Sequence, residues 1–310
     1  MHFFKENKLY AYVIFCCMSM FLCVTHVFGE SMPKKDKVEN NLYVLATGKV
    51  GAKALDLQQE IIAQGSYNLL QKTGLKSGMV AYDVGCGSGA MTVYLAQQVG
   101  SNGRVYAIDV SDEQLNVARQ KVQEAGLSNV TFIQADAQQL EQLPDTLVDI
   151  IYFRYLLVHL SQPQLALENM YQRLKTDGKL AFQEPTWNTI QTNYPKDFLN
   201  QYRDAVIKLG EMKGVNYNLG RSLPEMSLKL PHSKVESYEL ENKITLGQYK
   251  PLAVIRFAEM GNKLISAGLI TEEILLNWNK EIQLMPVDDN GYFVNLGTLT
   301  CVLVEKRKDD

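Results

Sequence analysis

The chain has 310 residues, 46% of them hydrophobic and 21% charged, enough to bury one large core without requiring a second domain. Thirty-one basic residues stand against 34 acidic ones, a net charge of -3, so there is no basic surplus to draw in nucleic acid. Of the five cysteines, Cys16, Cys17 and Cys23 sit near the N-terminus and only Cys86 and Cys301 lie beyond it. With no C-x-x-C pair, and with histidines only at 2, 26, 159 and 232, neither a zinc site nor a disulfide framework is expected.

Residues 1–29 read as a signal peptide or a membrane anchor. Leu9 to Phe28 is a run of 20 residues without Asp, Glu, Lys or Arg, preceded by Lys5 and Lys8. Any membrane association is therefore expected through 9–28, and export would follow cleavage near Gly29. A third reading starts synthesis at Met32. Residues 30–42 are polar and read as a linker.

Residues 50–72 read as helices, with Leu55, Leu57, Ile61 and Ile62 as apolar positions and Gly65 as a break. From Gly78 short apolar strands alternate with amphipathic helices. The strands are Met79 to Val84, Arg104 to Asp109, Val130 to Gln134, Val148 to Phe153 and Lys179 to Gln183. Helices fall at Ala90 to Val99, after a capping box at Ser111-x-x-Gln114, and after Ser161 and Pro163, this last one carrying Leu165, Met170 and Leu174. That rhythm predicts a parallel sheet with right-handed crossovers. After Pro185 it changes: Asp197 to Gly210, Pro251 to Ala267 and Thr271 to Leu284 read as helices, Ser233 to Leu246 as extended, and Thr298 to Val304 as a final strand.

The sharpest chemical signal is Asp83-Val84-Gly85-Cys86-Gly87-Ser88-Gly89 between the first strand and its helix. Glycines make such a turn cheaply and let backbone approach a ligand, and the helix start presents free N–H groups. Gly85, Gly87 and Ala90 also fit the dinucleotide pattern, and Asp109 at the end of the second strand could hold a ribose diol of either NAD or a sulfonium nucleoside. Two carboxylates separate the alternatives. Asp83 suits an ammonium or sulfonium and repels a pyrophosphate, and Asp136, in Ala135-Asp136-Ala137, can accept from an adenine amino group. The long stretch of linker and helix before the glycine strand also differs from dinucleotide domains, which often open on it.

Residues 43–185 resemble the core of a class I S-adenosylmethionine-dependent methyltransferase. Asp83 to Gly89 is similar to that family's first motif, and Asp109 and Asp136-Ala137 match the next two. Phe153-Arg154-Tyr155-Leu156-Leu157-Val158-His159-Leu160 resembles its fourth strand and the helix after it, and Gly178-Lys179-Leu180-Ala181 its fifth strand. The resemblance implies a doubly wound, Rossmann-like α/β fold, seven-stranded and mostly parallel, in the order 3-2-1-4-5-7-6. Thr298 to Val304 would be its reversed strand, and helices would precede the sheet. Residues 43–310 would form the methyltransferase domain, with substrate-cap elements in 186–297.

It further implies S-adenosylmethionine as cofactor, held by Asp83, Gly85, Cys86, Gly87, Gly89, Asp109, Val110, Asp136, Ala137 and Arg154. Arg154 departs from the Asp or Asn of many amine and nucleobase methyltransferases, which points away from N-methylation of a base or an amide. The acceptor is expected to be a small molecule. No catalytic residue is assigned: Glu184, His159 and Tyr155 are the candidates, with Tyr43 and Gln59 as pocket-shaping neighbours. Methyl transfer demands mainly positioning and exclusion of water. Phe198, Tyr202, Tyr217 and Trp278 would line the acceptor pocket or form the core of the cap. An NAD-dependent oxidoreductase and a non-catalytic S-adenosylmethionine-binding module remain the alternatives. Because the donor is made in the cytosol, a cytoplasmic catalytic domain is expected, anchored or not, with export as the alternative.

Overall fold

The computed structural model describes residues 47–139, 141, 145–288 and 291–308. The readings of 1–29 as signal or anchor and of 30–42 as linker, and Tyr43, lie outside the described residues.

The first described element is α1 (Gly48–Lys72). Gly65 does not break it. The missing β-carbon instead admits Leu240, whose Cδ1 lies 2.7 Å from where that carbon would stand. Strand and helix then alternate through β1 (Val80–Val84), α2 (Ala90–Val99), β2 (Arg104–Asp109), α3 (Asp112–Glu124), β3 (Val130–Gln134), β4 (Val148–Arg154), α4 (Pro163–Gln172) and β5 (Leu174–Thr186). β1 to β5 pair in parallel in the order β3-β2-β1-β4-β5.

Two boundaries differ from the sequence reading. Leu174 opens β5, opposite Val148, and does not belong to α4. At Ser111 half the capping box forms: its hydroxyl accepts from Gln114 N at 3.3 Å, but the Gln114 side chain turns inward and makes no return bond.

Beyond β5 come β6 (Gln191–Thr192), α5 (Phe198–Met212), α6 (Leu223–Leu228), β7 (Ser233–Thr245), α7 (Leu246–Ser266), α8 (Glu272–Leu284) and β8 (Phe293–Lys306). β8 runs antiparallel to β5 on one edge and to β7 on the other, so the expected reversed strand is present. The sheet has eight strands and not seven because two-residue β6 extends the β5 edge. α7 starts at Leu246, five residues before Pro251, since Thr245 and Gln248 form a reciprocal capping box. Pro251 lies inside α7, past its first turn, and cannot donate the intrahelical bond that its position would otherwise make.

Alternation along the strands sends side chains to two cores. Tyr82, Val84, Ile151, Phe153, Leu180 and Phe182 face α4, α5 and the cap. Ala81, Ile150, Tyr152 and Ala181 face Leu69 and Leu70 of α1 and Met91, Leu95 and Val99 of α2. Both faces are dry, as a doubly wound parallel sheet requires. β1 lies between β2 and β4, so strand order reverses at its carboxyl end, where ligands of such sheets bind. Among the described residues no helix is long and apolar enough to cross a membrane.

Candidate functional site

The turn after β1 is left-handed at three glycines, with φ of 67° at Gly85, 52° at Gly87 and 81° at Gly89. A side chain at Gly89 would meet the Ala118 Cα at 2.9 Å and Cβ at 2.7 Å, so α3 fixes that position by backbone. At Gly85 the obstacle is only the Leu156 side chain, 3.0 Å away.

Two carboxylates bracket this turn. Asp83 is 2% exposed and accepts from Thr92 Oγ1 at 2.5 Å. Burial, against the Thr92 bond and the Arg154 charge, pushes its pKa up to about 7. Asp109 accepts from Gly87 N and Ser111 N, each at 2.9 Å, and burial raises its pKa. Val110, next in chain, is 58% exposed, a flat apolar surface beside the acid. After β3, Asp136 takes Gln138 N on Oδ1 at 2.8 Å, and Ala137 is buried behind it. Cys86 is a buried thiol whose pKa is raised by burial and then by Asp83 and Asp109, the opposite of an activated nucleophile.

At the end of β4, Arg154 reaches α1, donating to Ser66 Oγ at 2.6 Å and Gln59 Oε1 at 2.5 Å. Ser66 passes the chain on to Gln183 Oε1 at 2.7 Å, and Gln183 to Cys301 Sγ at 3.1 Å. Arg154 makes no ion pair with a carboxylate among the described residues. A rigidly held guanidinium without a counter-ion at the carboxyl edge is a ready anchor for a ligand carboxylate.

These features fit S-adenosylmethionine: a carboxyl for an ammonium, a guanidinium for a carboxylate, an acid at the ribose position and an exposed apolar surface for adenine. They do not fit a pyrophosphate, which would lie against Asp83.

A family model described as a methyltransferase domain matches residues 75–218. The ubiquinone/menaquinone biosynthesis C-methyltransferase UbiE of Vibrio parahaemolyticus is 30% identical over 179 residues, which cover 55% of this chain and 68% of that protein. The chain belongs to the class I S-adenosylmethionine-dependent methyltransferases. UbiE of a Marinomonas species is 32% identical over 160 residues, 49% of this chain and 62% of the relative. The matches thus span roughly two thirds of the curated relatives, or somewhat less. The YcgJ protein of Bacillus subtilis shares the fold, with a TM-score of 0.53 and 20% identity over 79% of this chain and 100% of its own. The cofactor of this methyltransferase is S-adenosylmethionine, and the dinucleotide alternative is set aside with the family assignment.

The three candidate catalytic residues differ in what surrounds them. Glu184 is fully buried, and its Oε1 accepts from Leu156 N and Leu157 N, both at 2.8 Å, with Val158 N at 3.4 Å from Oε2. It therefore shapes the turn after β4, a short 3-10 segment at Leu157–His159 where the sequence suggested a helix. Burial pushes its pKa up to about 8. His159 sits in that turn with its ring edge-on to Tyr217, 5.8 Å between centroids. Burial first, then the Arg256 charge, depresses its pKa to about 4, so it is neutral and a weak base. Tyr155 holds a left-handed backbone, φ 53°, and burial pushes its hydroxyl pKa up to about 12.

Of the proposed pocket aromatics, Phe198, Tyr202 and Trp278 cluster with Phe257 instead, Tyr202 stacking on it at 3.8 Å. They are the core of the cap. Tyr217 alone of the four meets the turn after β4, packing on His159 and Trp187.

Sequence reasoning did not single out Thr92, Ser66, Gln58, Arg256 or Glu259. Thr92 lies three residues past the glycine motif and Ser66 directly after Gly65, both on helices and both of types that carry no signal of their own. Arg256 lies 198 positions from its partner Gln58, a separation no local pattern reports. Among the described residues no cluster of His, Cys, Asp and Glu could hold a metal ion.

Proposed function

We propose that this methyltransferase acts on a small organic acceptor, held above the carboxyl ends of β4 and β5 beneath α1, α5 and α7. The observation that carries this reading is a set of half-buried aromatic side chains, Tyr155, His159 and Tyr249, all within range of the Arg256 charge. Side chains of this kind suit a small planar molecule. The relatives are C-methyltransferases of ubiquinone and menaquinone biosynthesis by name, which supports a carbon atom of a small organic molecule as the position methylated.

When bound, S-adenosylmethionine supplies a methyl group on a positively charged sulfur, already activated for transfer. Asp83 would hold its ammonium and Arg154 its carboxylate. Asp109 would accept the ribose hydroxyls, Val110 would cover the adenine, and Asp136 and Ala137 would border its amino edge. Gly85, Cys86, Gly87 and Gly89 give the backbone approach. Glu184, through the Leu156–Val158 amides, would fix the turn that carries Tyr155 and His159 against the acceptor. The cap elements in 186–297 would set specificity on the base formed by β1 to β5. The catalytic domain is proposed to work on the cytosolic side, where the donor is made, with 1–29 as anchor or signal and 30–42 as linker.

The test is to incubate the full chain with methyl-tritiated S-adenosylmethionine and, separately, a small-metabolite extract, bulk RNA and bulk protein. Label in the small-metabolite fraction alone supports the reading. Label in RNA or protein alone overturns it.

A further inference from the structure

The groups that hold Arg154 are polar and buried. Ser66 and Gln183 are fully buried, and Gln59 is 9% exposed. Gln59 and Ser66 come from α1, and Gln183 lies on β5 beside Arg154 of β4. Amides and hydroxyls are costly in a core unless they are paired. Here the pairing runs in one direction. Arg154 donates to Gln59 Oε1 and Ser66 Oγ, and Ser66 donates to Gln183 Oε1. Tyr152 gives that oxygen a second donor at 3.3 Å.

The amide nitrogens are each turned onto a sulfur. Gln59 Nε2 lies 3.3 Å from Met91 Sδ, and Gln183 Nε2 lies 3.1 Å from Cys301 Sγ. Sulfur is a weak acceptor, so these contacts add little strength. They settle which end of each amide turns toward the arginine. Both oxygens that Arg154 meets therefore belong to neutral groups. It uses two of its five N–H donors on them. A half-buried guanidinium is ordinarily matched with a carboxylate. Asp83, whose carboxyl feels the Arg154 charge, is bonded to Thr92 instead. The guanidinium is thus fixed in place without being neutralised.

We propose that Gln59, Ser66 and Gln183 form a neutral cradle that selects the amino-acid end of the cofactor, by holding Arg154 while leaving its charge for a ligand carboxylate. All three are positioning residues that act through Arg154. The inference rests on the reading that Arg154 meets the methionine carboxylate. It deepens that reading by naming the residues that favour a nucleoside with an amino-acid tail over one without. A carboxylate at either glutamine position would act as an internal counter-ion and compete with that of the ligand, more strongly than in water because the site is half-buried. A bracing role alone predicts the opposite order. Glutamate at position 59 still accepts from Arg154, whereas methionine, of similar size, hardly can.

The test is calorimetric titration of S-adenosylhomocysteine and 5′-methylthioadenosine into the full chain as wild type, Arg154→Met, Gln59→Glu, Gln59→Met and Gln183→Glu. The wild type is expected to prefer S-adenosylhomocysteine, and Arg154→Met to lose that preference. Gln59→Glu should weaken S-adenosylhomocysteine by about tenfold or more and leave 5′-methylthioadenosine within about twofold. It should lose more of the preference than Gln59→Met. Gln183→Glu, one bond further off through Ser66, should act in the same sense but less. If Gln183→Glu fails to fold, the two Gln59 variants decide. Gln59→Glu that keeps the wild-type preference, loses both ligands alike or loses less than Gln59→Met overturns the proposal. If Arg154→Met nevertheless loses the preference, only the cradle falls. If Arg154→Met keeps it, the reading of Arg154 falls too.

Discussion

Asp109 Oδ2 accepts a hydrogen bond from Gly87 N at 2.9 Å, so the end of β2 and the glycine turn after β1 are locked together across the sheet. The acid therefore does two things: it positions the turn and keeps a carboxylate at the ribose position. Asp109→Ala should weaken S-adenosylmethionine binding by about tenfold or more, the loss of one or two charge-assisted bonds. Unchanged affinity in calorimetry would remove Asp109 from the site.

Arg154 offers a sharper dissection. If its guanidinium meets the methionine carboxylate, Arg154→Met weakens S-adenosylhomocysteine strongly. It leaves 5′-methylthioadenosine, which lacks that carboxylate, nearly unaffected. Equal losses for the two ligands would mean that Arg154 only braces α1 through Gln59 and Ser66.

Asp83 makes cofactor binding sensitive to pH. Its pKa of about 7 in the free protein leaves it largely protonated at pH 6. A bound ammonium favours the carboxylate, so binding releases a proton, and affinity rises between pH 6 and 7, where the ligand amine stays charged. Calorimetry in buffers of different ionisation enthalpy should show that release in the wild type and none in Asp83→Asn. The folded-state pKa lies above the unfolded one. The group's contribution to stability is therefore present at low pH and declines from about pH 4 to 7.

How far the sequence reached is visible in these same residues. The five parallel strands were legible because fully buried strands are short apolar runs closed by turn residues. Asp83, Asp109 and Asp136 stood out in the sequence because each lies at or just past the carboxyl end of such a strand. Leu174 was misplaced because, four residues after Met170, it fits a helix face equally well. Glu184 read as a pocket acid, since nothing local reveals that its partners are the amides of residues 156–158. Nothing local links Ser66 to Gln183 either, since they meet across 117 positions of the chain.

Glu184 carries a prediction of its own. With a pKa near 8 it is mostly protonated at pH 7, and a neutral carboxyl accepts the Leu156 and Leu157 amides on Oε1. Glu184→Gln should then be tolerated at pH 7, whereas Glu184→Ala leaves two buried N–H groups unpaired and costs about 1–3 kcal/mol or more. The raised folded-state pKa means wild-type stability falls relative to Glu184→Gln as pH rises from about 4.5 to 8. Denaturation midpoints of the three proteins across that range check it. A wild-type advantage that grows with pH would show that the side chain is held ionised.

The most direct test of the whole account is parallel calorimetric titration of the full chain with S-adenosylmethionine, S-adenosylhomocysteine and NAD. Binding of both sulfur ligands, in roughly the micromolar range, and none of NAD is the expected result. Binding of NAD with neither sulfur ligand would contradict the roles given to Asp83, Asp136 and Arg154 together.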